Sequence, residues 1–314
     1  KDDVAAREAF TKALELDGTC TPAARGLGDM AYDKGDFVEA AKHYEPLLAR
    51  TGEMTGDEAK TTSLRSGDAF AKLKLWDKAQ RAYLNAKAFA PDDREVLERV
   101  ADVTFDAGEA DEAAELYRDV LTKFGGSLGA EEKARVLSRL GEALRRSDQL
   151  DEAAKHLEEA ASTGTSRDPL VALTALHETR GEWEDVVKVL RRRMDGASDD
   201  ERFDLLVQAG DVLKDKIGDR QRSSKSYVAA LEIRADDRNL LTRLMGVYSE
   251  TKDWGKFVEF IWRLASLVEH PAALAKYYTT AASIAHMELG RVEEAADYYE
   301  QALEHAPRMG RSFE

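Results

Sequence analysis

Cysteine occurs once in the chain, at Cys20, so no disulfide can close within it and no cluster of its own thiolates can hold zinc. Basic residues are in deficit. The 46 Lys and Arg face 61 Asp and Glu, a formal net charge of −15 that repels phosphate backbones and argues against nucleic acid as a partner. No apolar run approaches the ~18 residues needed to span a bilayer, so direct membrane insertion is not expected and a cytoplasmic location is. Alternating runs of β-branched residues are missing, which removes the strand signal. Phosphate-binding glycine loops, H-E-x-x-H and G-x-S-x-G are missing too, so no catalytic residue, metal site or cofactor is expected, and the chain reads as a non-enzyme. Asn occurs only at Asn85 and Asn239, and Ile only at Ile217, Ile233, Ile261 and Ile284. With abundant Ala, Arg and Asp, this suggests a GC-rich bacterial gene.

What the chain does have is periodicity. Its 314 residues would ordinarily make two compact domains, unless they form an array, and 34% charged residues imply much solvated surface. A small residue recurs at Ala6, Ala40, Ala79, Ala113, Ala153, Val186, Ser223, Val258 and Ala295, at spacings of 34, 39, 34, 40, 33, 37, 35 and 37. Four residues after each comes an aromatic or Leu: Phe10, Tyr44, Tyr83, Tyr117, Leu157, Leu190, Tyr227, Trp262 and Tyr299. Twelve residues before, a second small residue falls at Gly28, Gly67, Ala101 and Gly141, with Gly210 one position out of register. Small residues let two helices approach closely, and the aromatic fills the space one turn later. Gly35, Gly108, Gly181 and Gly290 stand where the first helix of each pair should end in a left-handed cap, and Pro91 and Pro307 where a second helix should stop.

This pattern resembles the tetratricopeptide repeat, a helical hairpin of about 34 residues. The resemblance covers the whole chain and implies an all-α fold: an α-solenoid, a right-handed superhelix of stacked antiparallel helix pairs. The expected organisation is one solenoid over 1–314, opening with a half-repeat at 1–20. Repeats follow at about 21–50, 57–91, 92–125, 131–165, 167–196, 199–235, 236–270 and 271–307, and a further helix begins at 308–314. The long spacings come from residues 51–60 and 125–133, which lengthen a helix or a loop. The chain opens inside a second helix and neither end has a polar capping helix, so it reads as part of a longer protein, and its uncapped stripe (Ala6, Phe10, Ala13, Leu14) is expected to fray or self-associate.

The resemblance also implies where a partner would bind, on the first helices lining the concave groove. The place after the conserved glycine carries Asp29, Asp68, Asp102 and Glu142 in the first four repeats; Tyr32 and Phe105 lie one turn later. The late groove is more apolar, with Val247, Tyr277, Ile284 and Met287. The family's clamp for acidic chaperone tails uses Asn at that first place, and its absence disfavours such a role. The expected partner is therefore a protein or peptide with basic and apolar parts. Phe257 and Phe260, opposite the knob residues of their helix, form a candidate exposed patch on the convex side. No histidine shares an i, i+4 face with another and a carboxylate, so a metal site is not expected; His177 and His286 are assigned core or semi-core places. The function expected is a protein–protein interaction scaffold or adaptor, in an assembly such as those of bacterial polarity, motility or the envelope. The alternative is a structural spacer, or a regulatory region attached to an enzymatic or signalling domain elsewhere in a longer protein.

A continuous array should be elongated. Small-angle scattering should give a radius of gyration well above the ~20 Å of a compact sphere of this length; a value at ~20 Å would rule the array out.

Overall fold

The computed structural model describes residues 2–164 and 166–306, so Pro307 and the further helix expected at 308–314 lie outside the described residues. Every regular element is helical among the residues described. The contacts group into two units, Lys1–Ala172 and Leu173–Glu314.

In the first unit, α1 (Asp2–Leu16) is followed by four helix pairs' worth of chain. These are α2 (Thr21–Asp33) with α3 (Phe37–Tyr44), α4 (Gly56–Lys72) with α5 (Trp76–Phe89), α6 (Arg94–Asp106) with α7 (Ala110–Phe124), and α8 (Ala130–Arg146) with α9 (Leu150–Ser162). Each helix packs on the next in the chain, and the first helices also touch one another, α2 on α4 and α4 on α6. That nearest-neighbour pattern defines a solenoid. Helix α3 is short because Pro46 offers no N–H to continue it, and the chain tightens into a 3-10 helix over Glu45–Glu53. The longer spacings of this half are absorbed by α4 and α8, which have 17 residues where α2 and α6 have 13, one extra turn each.

The second unit continues the scheme. After α10 (Asp168–Arg180), it holds α11 (Trp183–Met194), α12 (Asp199–Asp211), α13 (Arg220–Ile233), α14 (Arg238–Glu250), α15 (Trp254–Ala265), α16 (Pro271–Met287) and α17 (Val292–His305). From α11 onward each again packs on its successor. No described helix is long and apolar enough to cross a membrane.

Many helices start on an acidic cap, which accounts for part of the acidic excess. The carboxylates of Asp36, Asp93, Asp219, Asp237 and Asp253 each accept from the backbone N–H three residues on, and Thr55 and Ser198 form capping boxes with Glu58 and Glu201. The first-turn aromatics Phe37, Trp76, Trp183 and Trp254 are half-buried at the hairpin turns, with Phe37 edge-on to Tyr32 and Trp254 edge-on to Phe257.

The core is built on knobs over small residues. Tyr44, Tyr83, Tyr117, Leu157, Leu190 and Tyr227 are all buried. A Cβ added at Gly67 would sit 2.4 Å from the Tyr83 ring, and one at Gly141 2.5 Å from Leu157, so Ala at either place would force the knob or the helix to shift, as the third repeat, with Ala101 there, is already spaced to allow. At the anchor positions Ala40, Ala79, Ala113, Ala153, Val186, Ser223, Val258 and Ala295 are buried, whereas Ala6 in α1 is only half-buried.

Repeat six explains its own offset. The carboxyl end of its first helix runs on as a π-helix over Val212–Ile217, which accommodates one residue more than an α-helix would. That extra residue is why Gly210 lies one place out of register, yet it still meets the Tyr227 ring.

Every described hairpin turns through one residue in the left-handed region, two places before its second helix. Five are glycines (Gly35, Gly108, Gly181, Gly218, Gly290), and three are Lys74, Asp148 and Lys252, with φ of 58°, 59° and 57°. A side chain there costs about 1–2 kcal/mol, and glycine's larger entropy when unfolded returns about half of that. Lys74→Gly and Lys252→Gly should each stabilise by about 0.5 kcal/mol, and Gly108→Ala should destabilise by about 1 kcal/mol. Urea midpoints that moved the other way would contradict this account.

Candidate functional site

A tyrosine ring buried as a knob leaves a hydroxyl that must find an acceptor. In four repeats it finds the carboxylate that follows the small residue of the first helix. Tyr44 donates to Asp29 at 2.6 Å, Tyr83 to Asp68 at 2.7 Å, Tyr117 to Asp102 at 2.6 Å and Tyr227 to Asp211 at 2.6 Å. The separation is 15 residues in the first three and 16 in the fourth, where the π-helix supplies the difference.

Each of these carboxylates is then met by an arginine from the next first helix. Arg65 lies 2.9 Å from Asp29, Arg99 3.3 Å from Asp68 and Arg135 3.6 Å from Asp102, and Arg243 pairs with Asp211. Asp68 also accepts from Tyr32 at 2.8 Å, with Arg65 over the Tyr32 ring. Where the knob is Leu157 the rung changes: Glu142 turns to Arg145, at 2.7 and 2.8 Å, and to Arg146. Burial opposes its ionisation, but Arg145 and Arg146 outweigh that and hold its carboxyl below the usual range. Arg25 sits one turn before Asp29 but pairs instead with Glu58.

The stripe Asp29, Asp68, Asp102 and Glu142 is thus a row of internally partnered carboxylates, each beside a guanidinium. It is a face of paired charge, not an open acidic one. Two aromatic or apolar groove residues are core: Phe105 is buried under the guanidiniums of Arg139 and Arg146, and Val247 is only 1% exposed. Tyr277 and Ile284 are half-buried against the α14–α16 core, and Met287, at 76% exposed, is the late-groove residue that reaches solvent.

The candidate convex patch is corrected by burial. Phe260 is 4% exposed and stacks on Tyr248, and Phe257 packs half-buried against Trp254. Helix α15 lies between α14 and α16, so it is apolar on two faces, and the second face belongs to the core. Of the histidines given core or semi-core places, His286 is exposed, whereas His177 is part-buried and bonds Glu182 across a turn; His43 and His156 each pair with a glutamate one turn back, Glu39 and Glu152. The residues that sequence reasoning missed, Arg65, Arg99, Arg135 and Arg243, had no motif of their own. The Asp-to-Tyr spacing of 15 was the available signal.

Tetratricopeptide repeat profiles match residues 5–54, 92–163, 170–202 and 278–309, together more than half of the chain. The chain is a tetratricopeptide repeat protein. The repeats outside those matches, α4 with α5 and α12 to α15, have the same hairpin turn and helix packing. No curated protein sequence matches it. Among solved structures, a tetratricopeptide repeat protein from Parabacteroides merdae is 13% identical, with a TM-score of 0.51 over 90% of this chain and 98% of its own. The C-terminal part of a repeat-containing protein from Cytophaga hutchinsonii is 15% identical, with a TM-score of 0.50 over 78% of this chain and 95% of its own. At such identity the likeness is one of fold.

The rungs make the repeats sensitive to alkali. Burial, then the bond to Asp68, pushes the Tyr32 hydroxyl up to about 12, and the same causes push Tyr44, Tyr83, Tyr117 and Tyr227 higher still. Folded values above the unfolded ~10 mean stability that is complete below pH ~10 and lost as pH rises through the folded values. The part of the phenolate absorbance that comes from these five tyrosines should therefore appear together with unfolding above pH ~10. Tyr117→Phe should cost about 1–2 kcal/mol, and Asp102→Ala, which orphans a buried hydroxyl, about 1–3 kcal/mol. A neutral Asp102→Ala in urea denaturation would show that the rung is ornamental.

Proposed function

We propose that the protein is a non-enzymatic interaction scaffold that holds a protein segment or small domain on the face of its first helices, as part of a larger bacterial assembly. Tetratricopeptide repeats in general build protein-interaction scaffolds. The observation that supports the reading is the solvent side of those helices: paired charges of both signs at regular intervals, with Asp33 and Glu95 more than half exposed beside Arg65 and Arg99. Basic side chains of a partner would be received by such outer carboxylates, since the rung carboxylates are already engaged. Apolar side chains would be received in the second unit by Met287, with Tyr277 and Ile284 behind it.

Charge at the face sets the encounter rate, and buried apolar contact sets the lifetime, because exposed ion pairs contribute only about 0–1 kcal/mol each. Crosslinking mass spectrometry on the native assembly should place one stoichiometric partner on the first helices. With that partner, Asp33→Lys with Glu95→Lys should slow association and flatten its salt dependence, and Met287→Ala should speed dissociation several-fold. No stoichiometric partner, or crosslinks confined to second helices, would leave the chain a spacer.

A further inference from the structure

The repeats act as controls for one another, and one hairpin breaks their common rule. Four residues before the left-handed turn residue, the first helix buries Ala31, Phe70, Thr104, Leu144 or Tyr248. In repeats six and eight the turn's backbone bond reaches one residue further back, from Asp219 to Leu213 and from Arg291 to Ala285, and those two are the residues buried. In repeat five the residue is His177, a part-buried histidine whose side chain is 14% exposed and puts Nδ1 2.6 Å from Glu182 Oε2. Asp185 completes a group: one ligand atom from each of His177, Glu182 and Asp185 lies within 4.8 Å of the others. Departure from a rule that the sister repeats obey marks places kept for something other than packing.

We propose that His177, Glu182 and Asp185 form a zinc site across the turn between α10 and α11. The donor set of one imidazole and two carboxylates suits a borderline dication, and three protein ligands leave one position open. The turn preorganises it. Gly181 takes φ of 69°, Glu182 N–H donates to the His177 carbonyl, and Asp185 N–H to that of Glu182, so the three side chains leave a fixed loop. Tetrahedral ligands about 2.0–2.2 Å from zinc lie roughly 3.3 Å apart, between the 2.6 Å of the His177–Glu182 contact and the 4.8 Å within which all three ligand atoms lie, so side-chain rotations alone would close the site. The neighbouring cations hold other oxygens or can yield. Arg180 pairs with Glu182 Oε1 at 3.5 Å, opposite the oxygen that faces His177, and Lys188, on a largely exposed side chain, lies 2.8 Å from Asp185 Oδ1. His286, one residue past the buried Ala285 that holds this place in repeat eight, has no such group: its hairpin puts Arg291 where Glu182 would be, and Arg291 pairs with Glu294. A search by i, i+4 spacing misses the trio because its members are 5 and 8 residues from His177, across a turn.

The test uses the whole chain, stripped with a chelator and titrated with Zn²⁺ by calorimetry and with Co²⁺ by visible absorption. One equivalent should bind in the micromolar range with the d–d bands of low-coordinate Co²⁺. His177→Leu, the residue at this place in repeat four, should keep the helical signal and weaken binding at least about tenfold, as should Asp185→Asn. His286→Leu should bind as the native chain does. Binding that survives His177→Leu unchanged, or the lack of saturable binding by about 1 mM metal, would overturn the site.

Discussion

The close approach of two helices at a small residue, a glycine in three of the four tyrosine rungs and Ala101 in the other, is the contact from which the rest follows. At Gly28, Gly67 and Gly210 the ring comes to 2.6, 2.4 and 2.3 Å of where a Cβ would be, well inside van der Waals contact, so the phenol is taken out of water. Its hydroxyl must then be given an acceptor, and the side chain placed to serve is the next residue of the same helix. A carboxylate there, part-buried, is costly unless its charge is met, and the nearest supply is the first helix of the following repeat. Packing inside one hairpin thereby dictates a cation in the next.

This chain of demands also accounts for the composition. Beyond the rungs, ion pairs join successive repeats at similar separations, Lys78 to Glu45, Lys60 to Asp93, Arg118 to Glu152, Arg222 to Glu184 and Arg234 to Asp200. Individually such half-exposed pairs contribute little. Their value here is positional, since a nearest-neighbour array is held only by what passes between adjacent units.

The fold class was legible because helix packing leaves a one-dimensional trace: small residue, knob and turn recur along the chain, and a period needs no knowledge of long-range contacts. The insertions at 51–60 and 125–133 were legible as added length, which α4 and α8 take up as one turn each. The candidate site was legible only as a set of positions. Reading Asp68 and Asp102 as free required knowing that no hydroxyl or guanidinium lay beside them, and those come from 15 and 31–33 residues away. Val247, Phe105 and Phe260 misled for a related reason: in a helix packed on two sides, an apolar residue off the knob face belongs to the second contact, not to solvent. The turn residues Lys74, Asp148 and Lys252 were invisible because sequence marks the left-handed cap only when it is glycine.

The π-helix at Val212–Ile217 bears on how such a chain can change over time. An inserted residue in a regular helix rotates everything after it by about 100° and would carry Asp211 away from Tyr227. Widening one turn confines the rotation, so the hydroxyl still meets its carboxylate and the following hairpins keep their faces. Single-codon insertions near the carboxyl end of a first helix are thus repairable locally, with no compensating change elsewhere. An array whose neighbours are specified by rungs, and not by a fixed period, can drift in repeat length from 33 to 40 while remaining one kind of structure.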